Sequence, residues 1–166
     1  MNAARSNGHV AADVFALAGR WLLGGFFLYM GLSKATDPVE FLKLVRQYDL
    51  FHTPLVLNSV AALLPWFEVF CGALLLAGVA VRGTALVVAA MLVPFTVAIL
   101  NRALELQTAQ GIAFCAVKFD CGCGAGVVNA CRKLLENTLW TALALWLAFS
   151  RQRGRWCLRH SLRRAD

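Results

Sequence analysis

Two cysteines separated by one glycine, Cys121-Gly122-Cys123, are the residues in this sequence best suited to chemistry. They lie in the run Lys118-Phe119-Asp120-Cys121-Gly122-Cys123-Gly124-Ala125-Gly126, with Cys115 and Cys131 on either side. Glycines around the thiols free the backbone for the tight geometry that a close sulfur pair requires. A disulfide within Cys-x-Cys closes a small strained ring, and strain raises the reduction potential, which suits a bond that exchanges. Exchange runs through thiolate attack and a mixed disulfide. Two plainer chemistries stand beside it. The four cysteines could form two structural disulfides that pin the loop, or the thiolates could bind a soft metal such as Cu(I) or Zn(II). Exchange is placed first, structural bonding second and metal third. Cys121 and Cys123 are therefore the candidate exchanging pair, with Cys115 and Cys131 as a second pair. Asp120 could accept a proton during exchange or cap the turn; its charge raises a neighbouring thiol's pKa and so does not favour thiolate.

Glu68 is the other residue that needs a physical account. It stands in Leu64-Pro65-Trp66-Phe67-Glu68 inside a long apolar run. A carboxylate at such depth costs about 2.5–3.5 kcal/mol on insertion scales. It must face a bundle interior, either protonated or beside a cation, and Lys34 and Arg102 are the nearest candidates. Its role is an interhelical bond that fixes the bundle or a proton or quinone-headgroup site. The structural role is weighted slightly higher, because no second acidic residue lies deep in a span. Cys71 reads as packing within a span and Cys157 as a tail residue. His9, His52 and His160 share no spacing, which argues against a histidine metal or haem site.

The elements that must position these groups follow from composition. Hydrophobic residues make up 60% of the 166, against about 45–50% in soluble domains. One core this small cannot bury that much apolar surface, so lipid must take the excess. Four apolar stretches stand out, at about 14–32, 58–81, 84–104 and 134–149. A span needs about 20 residues, so the fourth is expected to borrow a turn from 127–133. Gly24, Gly25 and Gly31 are expected to let a neighbouring helix approach the first span closely. The first run holds Arg20, is too long for a signal peptide and lacks a cleavage site, which reads as a retained helix.

The expected fold class is all-α: an integral membrane four-helix bundle with an amphipathic interfacial helix between the first two spans and a cysteine-rich loop before the fourth. Asp37-Pro38-Val39-Glu40 has the layout of a helix start. Phe41, Leu44, Val45 and Tyr48 then recur at helical spacing, which suits an interfacial helix, with an ordinary loop helix as the even alternative. The formal net charge of +7 comes largely from Arg151, Arg153, Arg155, Arg159, Arg163 and Arg164. A basic tail straight after an apolar run reads as a cytoplasmic anchor, and without a nucleic-acid motif it gives no reason to expect nucleic acid as a partner. The expected organisation is a cytoplasmic tail at 1–13, a four-helix domain at 14–150 and a basic cytoplasmic tail at 151–166. The loops at 33–57 and 105–132 then face outward, into the periplasm of a bacterial inner membrane, where disulfides persist.

Several of these features occur in one order: Gly31-Leu32-Ser33-Lys34, Asp37-Pro38-Val39-Glu40-Phe41, Leu64-Pro65-Trp66-Phe67-Glu68, then Asp120-Cys121-Gly122-Cys123-Gly124 ahead of Arg132 and Asn137. Together they resemble the MauE family of methylamine-utilisation membrane proteins, within the DoxX-like group of redox-associated four-helix proteins, over about 20–149. The resemblance implies a role in maturing a periplasmic disulfide-rich enzyme, the small subunit of methylamine dehydrogenase in the family's named case. It also implies a thioredoxin-like periplasmic partner. The bundle is similar in outline to the vitamin K epoxide reductase group, which couples loop cysteines to a membrane quinone. That group uses Cys-x-x-Cys at its quinone site, where this chain has Cys-x-Cys. Two rival functions remain: a non-enzymatic scaffold for the maturation partner, and a thiolate metal handler.

Overall fold

With so few polar side chains, the backbone must satisfy its own hydrogen bonds, and helices do this within one segment. A computed structural model describes residues 2–49, 53–121 and 126–150, with side chains from Asp13 onward. The order is α1 (Asn2–Thr36), α2 (Pro38–Gln47), α3 (Pro54–Ala77), α4 (Val81–Gln110), a 3-10 turn (Phe114–Ala116), strands β1 (Lys118–Asp120) and β2 (Val127–Asn129), and α5 (Ala130–Phe149). Among the described residues, three segments are long and apolar enough to cross a membrane: Asp13–Thr36, Pro54–Ala77 and Val81–Gln110. The chain is a membrane protein. Trp21, Trp66, Phe70 and Phe149 are exposed on the outside of the bundle, as lipid-facing side chains must be.

The departures from expectation lie at the ends of elements. The apolar stretch expected from residue 14 belongs to a helix that begins at Asn2. The second and third stretches sit in helices that start at Pro54 and Val81, before their apolar runs. The last helix does borrow a turn, from 130–133, but residues 127–129 do not join it. They form β2, which pairs antiparallel with β1 in the register Lys118↔Asn129, Phe119↔Val128, Asp120↔Val127. Val127, Val128 and Phe119 are strong strand formers on either side of a glycine-rich stretch of sequence, and that local preference outweighs helix extension. The described ends of the cysteine-rich loop thus pair as a short ribbon.

The bundle is two closely packed helix pairs, α1 with α3 and α4 with α5, while α3 and α4 touch far less. The α1–α3 contact is made by glycines. A Cβ on Gly24 would come 3.0 Å from the Gly72 carbonyl, and one on Gly31 would come 2.7 Å from the Pro65 carbonyl. Backbones this close are the usual device where lipid supplies no hydrophobic drive. Gly25, expected to join them, faces open space, and Gly72 takes that place from α3. Leu23, Leu75, Val88 and Leu147 bring the two pairs together in the central core.

Candidate functional site

Helix α2 starts as its sequence requires. Asp37 caps it by accepting the Glu40 backbone N–H at 3.2 Å, and Pro38 occupies the first turn. Its apolar face, Phe41, Leu44, Val45 and Tyr48, roofs a cavity of about 360 Å³ left where α3 and α4 stand apart. Helix α2 therefore closes one end of the bundle.

Beneath that roof lies the ion pair that the apolar run around Glu68 demands. The Lys34 ammonium donates to both Glu68 carboxylate oxygens, at 2.6 and 2.8 Å, and both residues are buried. The same ammonium sits 5.3 Å from the Phe41 ring centroid and 5.9 Å from that of Phe95. Carboxylate and aromatic faces together replace the water that the cation has lost. Arg102, the other candidate partner, is paired with Glu105 of its own helix at 3.2 Å.

The cysteines divide into two groups. Cys115 and Cys131 form a disulfide with Cα atoms 5.0 Å apart. It joins the 3-10 turn to the first turn of α5, at the base of the ribbon, where the Ala130 N–H also bonds the Val117 carbonyl at 3.0 Å. Cys121 leaves the far end of β1. It is fully buried, packs with Met30 and Ile99, and lines the same cavity as Lys34 and Glu68. Cys121 is disulfide-bonded as well. Cys123 lies outside the described residues, as does the basic tail. Cys71 is a buried free thiol, in keeping with a packing role.

Tyr48 ties the roof to the ribbon. Its hydroxyl donates to the Cys121 carbonyl at 2.9 Å. Burial, and then the Asp120 carboxylate, push its phenol above the ordinary range, so it remains a donor. Asp120 itself is held in the ribbon opposite Val127.

Two interior polar residues have no role assigned from the sequence, although Asn137 is part of the pattern that carries the resemblance. Lys133 is buried at the start of α5, 3.4 Å from Glu136, and Asn137 is buried one turn later, 3.5 Å from the Thr96 hydroxyl. Both line a small void that Lys34 and Glu68 share. Asn137 stands in an apolar run, a usable signal; Lys133, beside Arg132 at a helix start, reads as solvated. Tyr48 closes the apolar period of α2, and nothing in that period shows where its hydroxyl points.

These groups compose one end of the bundle: a disulfide sulfur, a buried ion pair and a phenol around an apolar cavity. No curated protein and no solved structure matches the chain. The family model described as methylamine utilisation protein MauE matches residues 12–150, a span that takes in the ion pair, the roof helix and the whole ribbon. The chain belongs to the MauE family.

Proposed function

We propose that this protein is a membrane thiol–disulfide relay that supports formation of disulfides in secreted proteins, those of methylamine utilisation foremost. Cys121 and Cys123 are the exchanging pair, and the Cys115–Cys131 disulfide is the staple that holds their ribbon. The reading is carried by one observation: Cys121, already in a disulfide, lies in the wall of a membrane cavity with Lys34 and Glu68.

The chemistry is a two-electron exchange. A thiolate of a reduced thioredoxin-like partner or client attacks one sulfur of the Cys121–Cys123 bond and releases the other as thiolate. The partner's second thiolate then breaks the mixed disulfide. The partner leaves oxidised, and Cys121 and Cys123 are left as thiols.

In this reading α5 is a fourth span, both termini are cytoplasmic and the ribbon faces the periplasm. Two contacts support that layout. Arg82, at the α3–α4 turn, donates to the carbonyl of Ser150 at the end of α5, 3.4 Å away. A Cβ on Gly78 of the same turn would come within 2.6 Å of the Arg20 guanidinium. That end of the bundle leads into the basic tail, and Cys121 sits with α2 at the other.

The test is thiol alkylation followed by mass measurement, on membranes poised across a series of redox buffers. Cys121 and Cys123 are expected to interconvert under mild conditions while Cys115 and Cys131 stay bonded. A Cys121 that remains locked from strong oxidant to strong reductant would defeat the proposal. Should Cys121→Ser leave client disulfide formation intact at equal expression, the protein is a scaffold instead.

A further inference from the structure

We infer that the small void where the two helix pairs meet binds a monatomic monovalent anion, a halide such as chloride, held between Lys34 and Lys133. The first observation is which helices wall it. Phe27 and Lys34 come from α1 and Glu68 from α3, while Phe95 comes from α4 and Lys133 and Asn137 from α5. The void, of about 30 Å³, thus lies on the seam between the pair α1–α3 and the pair α4–α5. It has room for about two waters, or for one halide. A polyatomic anion such as sulfate is too large.

The second observation is the balance of charge. Lys34 and Lys133 are both buried on the wall, against one carboxylate, Glu68. Both Glu68 oxygens already accept from Lys34, which leaves Lys133 without a counter-charge inside the void. Its hydrogen-bond partner among the described residues is Glu136, 3.4 Å away and half-exposed. A charge-assisted bond is shorter, at about 2.7–2.9 Å, and water screens a carboxylate at the surface. A cation buried on such terms is destabilising unless a second negative charge joins it.

Hydrogen-bond donors are in surplus too. An ammonium has three N–H bonds and an amide nitrogen two. Lys34 therefore keeps one beyond Glu68, Lys133 keeps two beyond Glu136, and Asn137 keeps one beyond the Thr96 hydroxyl, 3.5 Å away. One turn along the same face of α5, the indole N–H of Trp140 is buried with no hydrogen-bond partner among the described residues. Donors without acceptors suit a ligand that only accepts. Water would take up some of these bonds, but it brings donors of its own and no charge. A halide accepts from every side, supplies the missing negative charge and ties α5 to α1 across the seam.

The experiment is thermal unfolding of the full chain in a non-ionic detergent, at fixed sodium concentration, with chloride or bromide exchanged stepwise for gluconate. Either halide is expected to raise the melting temperature along a saturating curve. At about ten times the half-saturating concentration, the folding constant should be about tenfold higher than in gluconate. Bromide should also quench part of the tryptophan fluorescence with the same saturation. That part should be missing in Trp140→Phe, because the indole stacks at 4.4 Å on Phe26, which lines the void. Both effects are expected to vanish in Lys133→Met; if that variant does not fold, Asn137→Leu is expected to raise the half-saturating concentration several-fold. Melting that does not distinguish halide from gluconate means that the void holds water alone, and overturns the inference. Halide dependence unchanged in the variant, or matched by sulfate, puts the effect on exposed basic side chains and overturns it as well.

Discussion

The hydroxyl of Tyr48 donates to the carbonyl of Cys121 at 2.9 Å, joining the roof helix to the cysteine ribbon. It is a direct polar tie between α2 and the backbone that carries the sulfur. Such a bond contributes about 1 kcal/mol. Tyr48→Phe is therefore expected to leave the bundle folded but to expose the site: once reduced, Cys121 should be alkylated several-fold faster than in the parent. Equal alkylation rates would show that the ribbon does not depend on this bond.

The same phenol gives a pH dependence whose sign can be worked out. An unfolded tyrosine titrates near about 10, and burial, with help from Asp120, raises the folded value above it. The folded state thus holds its proton more tightly. The contribution to stability is fully present below about pH 10 and declines as pH rises from there towards the folded value. Thermal unfolding in detergent between pH 9 and about 11 should fall more steeply in the parent than in Tyr48→Phe. Parallel slopes would rule this out.

Lys34 and Glu68 are a buried pair, so removing one partner strands the other. Lys34→Met or Glu68→Leu alone is expected to cost about 3–5 kcal/mol, while the double variant recovers most of it because no uncompensated charge remains. Denaturation of the four proteins in matched detergent gives the coupling. A double variant as unstable as the sum of the singles would remove the pair from the account of the fold.

What could be read from the sequence tracks how local each determinant is. The Asp37–Glu40 cap, the apolar face of α2 and the demand of Glu68 for a cation are short-range or purely energetic, and they appear as expected. Glu68 could not choose between Lys34 and Arg102 before α1 was packed on α3, since that depends on glycines meeting across two helices. Gly25 shows the limit: one position from Gly24 on a helix turns a residue by about 100°, and the contact is lost. The ribbon was missed because helix extension and strand pairing compete at 127–129, and pairing depends on residues of the other strand, 118–120.

The Cys115–Cys131 disulfide closes a loop of modest length, for which chain entropy suggests about 3 kcal/mol. Cys115→Ser/Cys131→Ser is expected to lower stability by that order without abolishing exchange at Cys121, because Cys121 retains its contact with Tyr48. Cys121→Ser should do the reverse, with exchange lost and unfolding little changed. Measured on the same membranes by redox alkylation and thermal melt, the two variants should separate the roles. A complete loss of exchange in the Cys115/Cys131 variant, with the fold intact, would make that pair a participant.

The glycine contact of α1 and α3 sets the depth at which Lys34 meets Glu68, and its geometry ranks substitutions. At Gly31 a Cβ would lie 2.7 Å from a carbonyl oxygen and 2.8 Å from the Val69 backbone nitrogen, both of which are backbone and cannot swing aside. At Gly25 it would meet nothing within 4 Å. Gly31→Ala should therefore push the helices apart, at about 1–3 kcal/mol for overpacking, and lengthen the ion pair; Gly25→Ala should be neutral or slightly stabilising, since alanine is the better helix former. A cysteine cross-link between α1 and α3, formed less readily in Gly31→Ala than in Gly25→Ala, would report the displacement. Should both variants cross-link and melt like the parent, the close crossing does not position the pair, and the depth of Lys34 must be set by the roof helix instead.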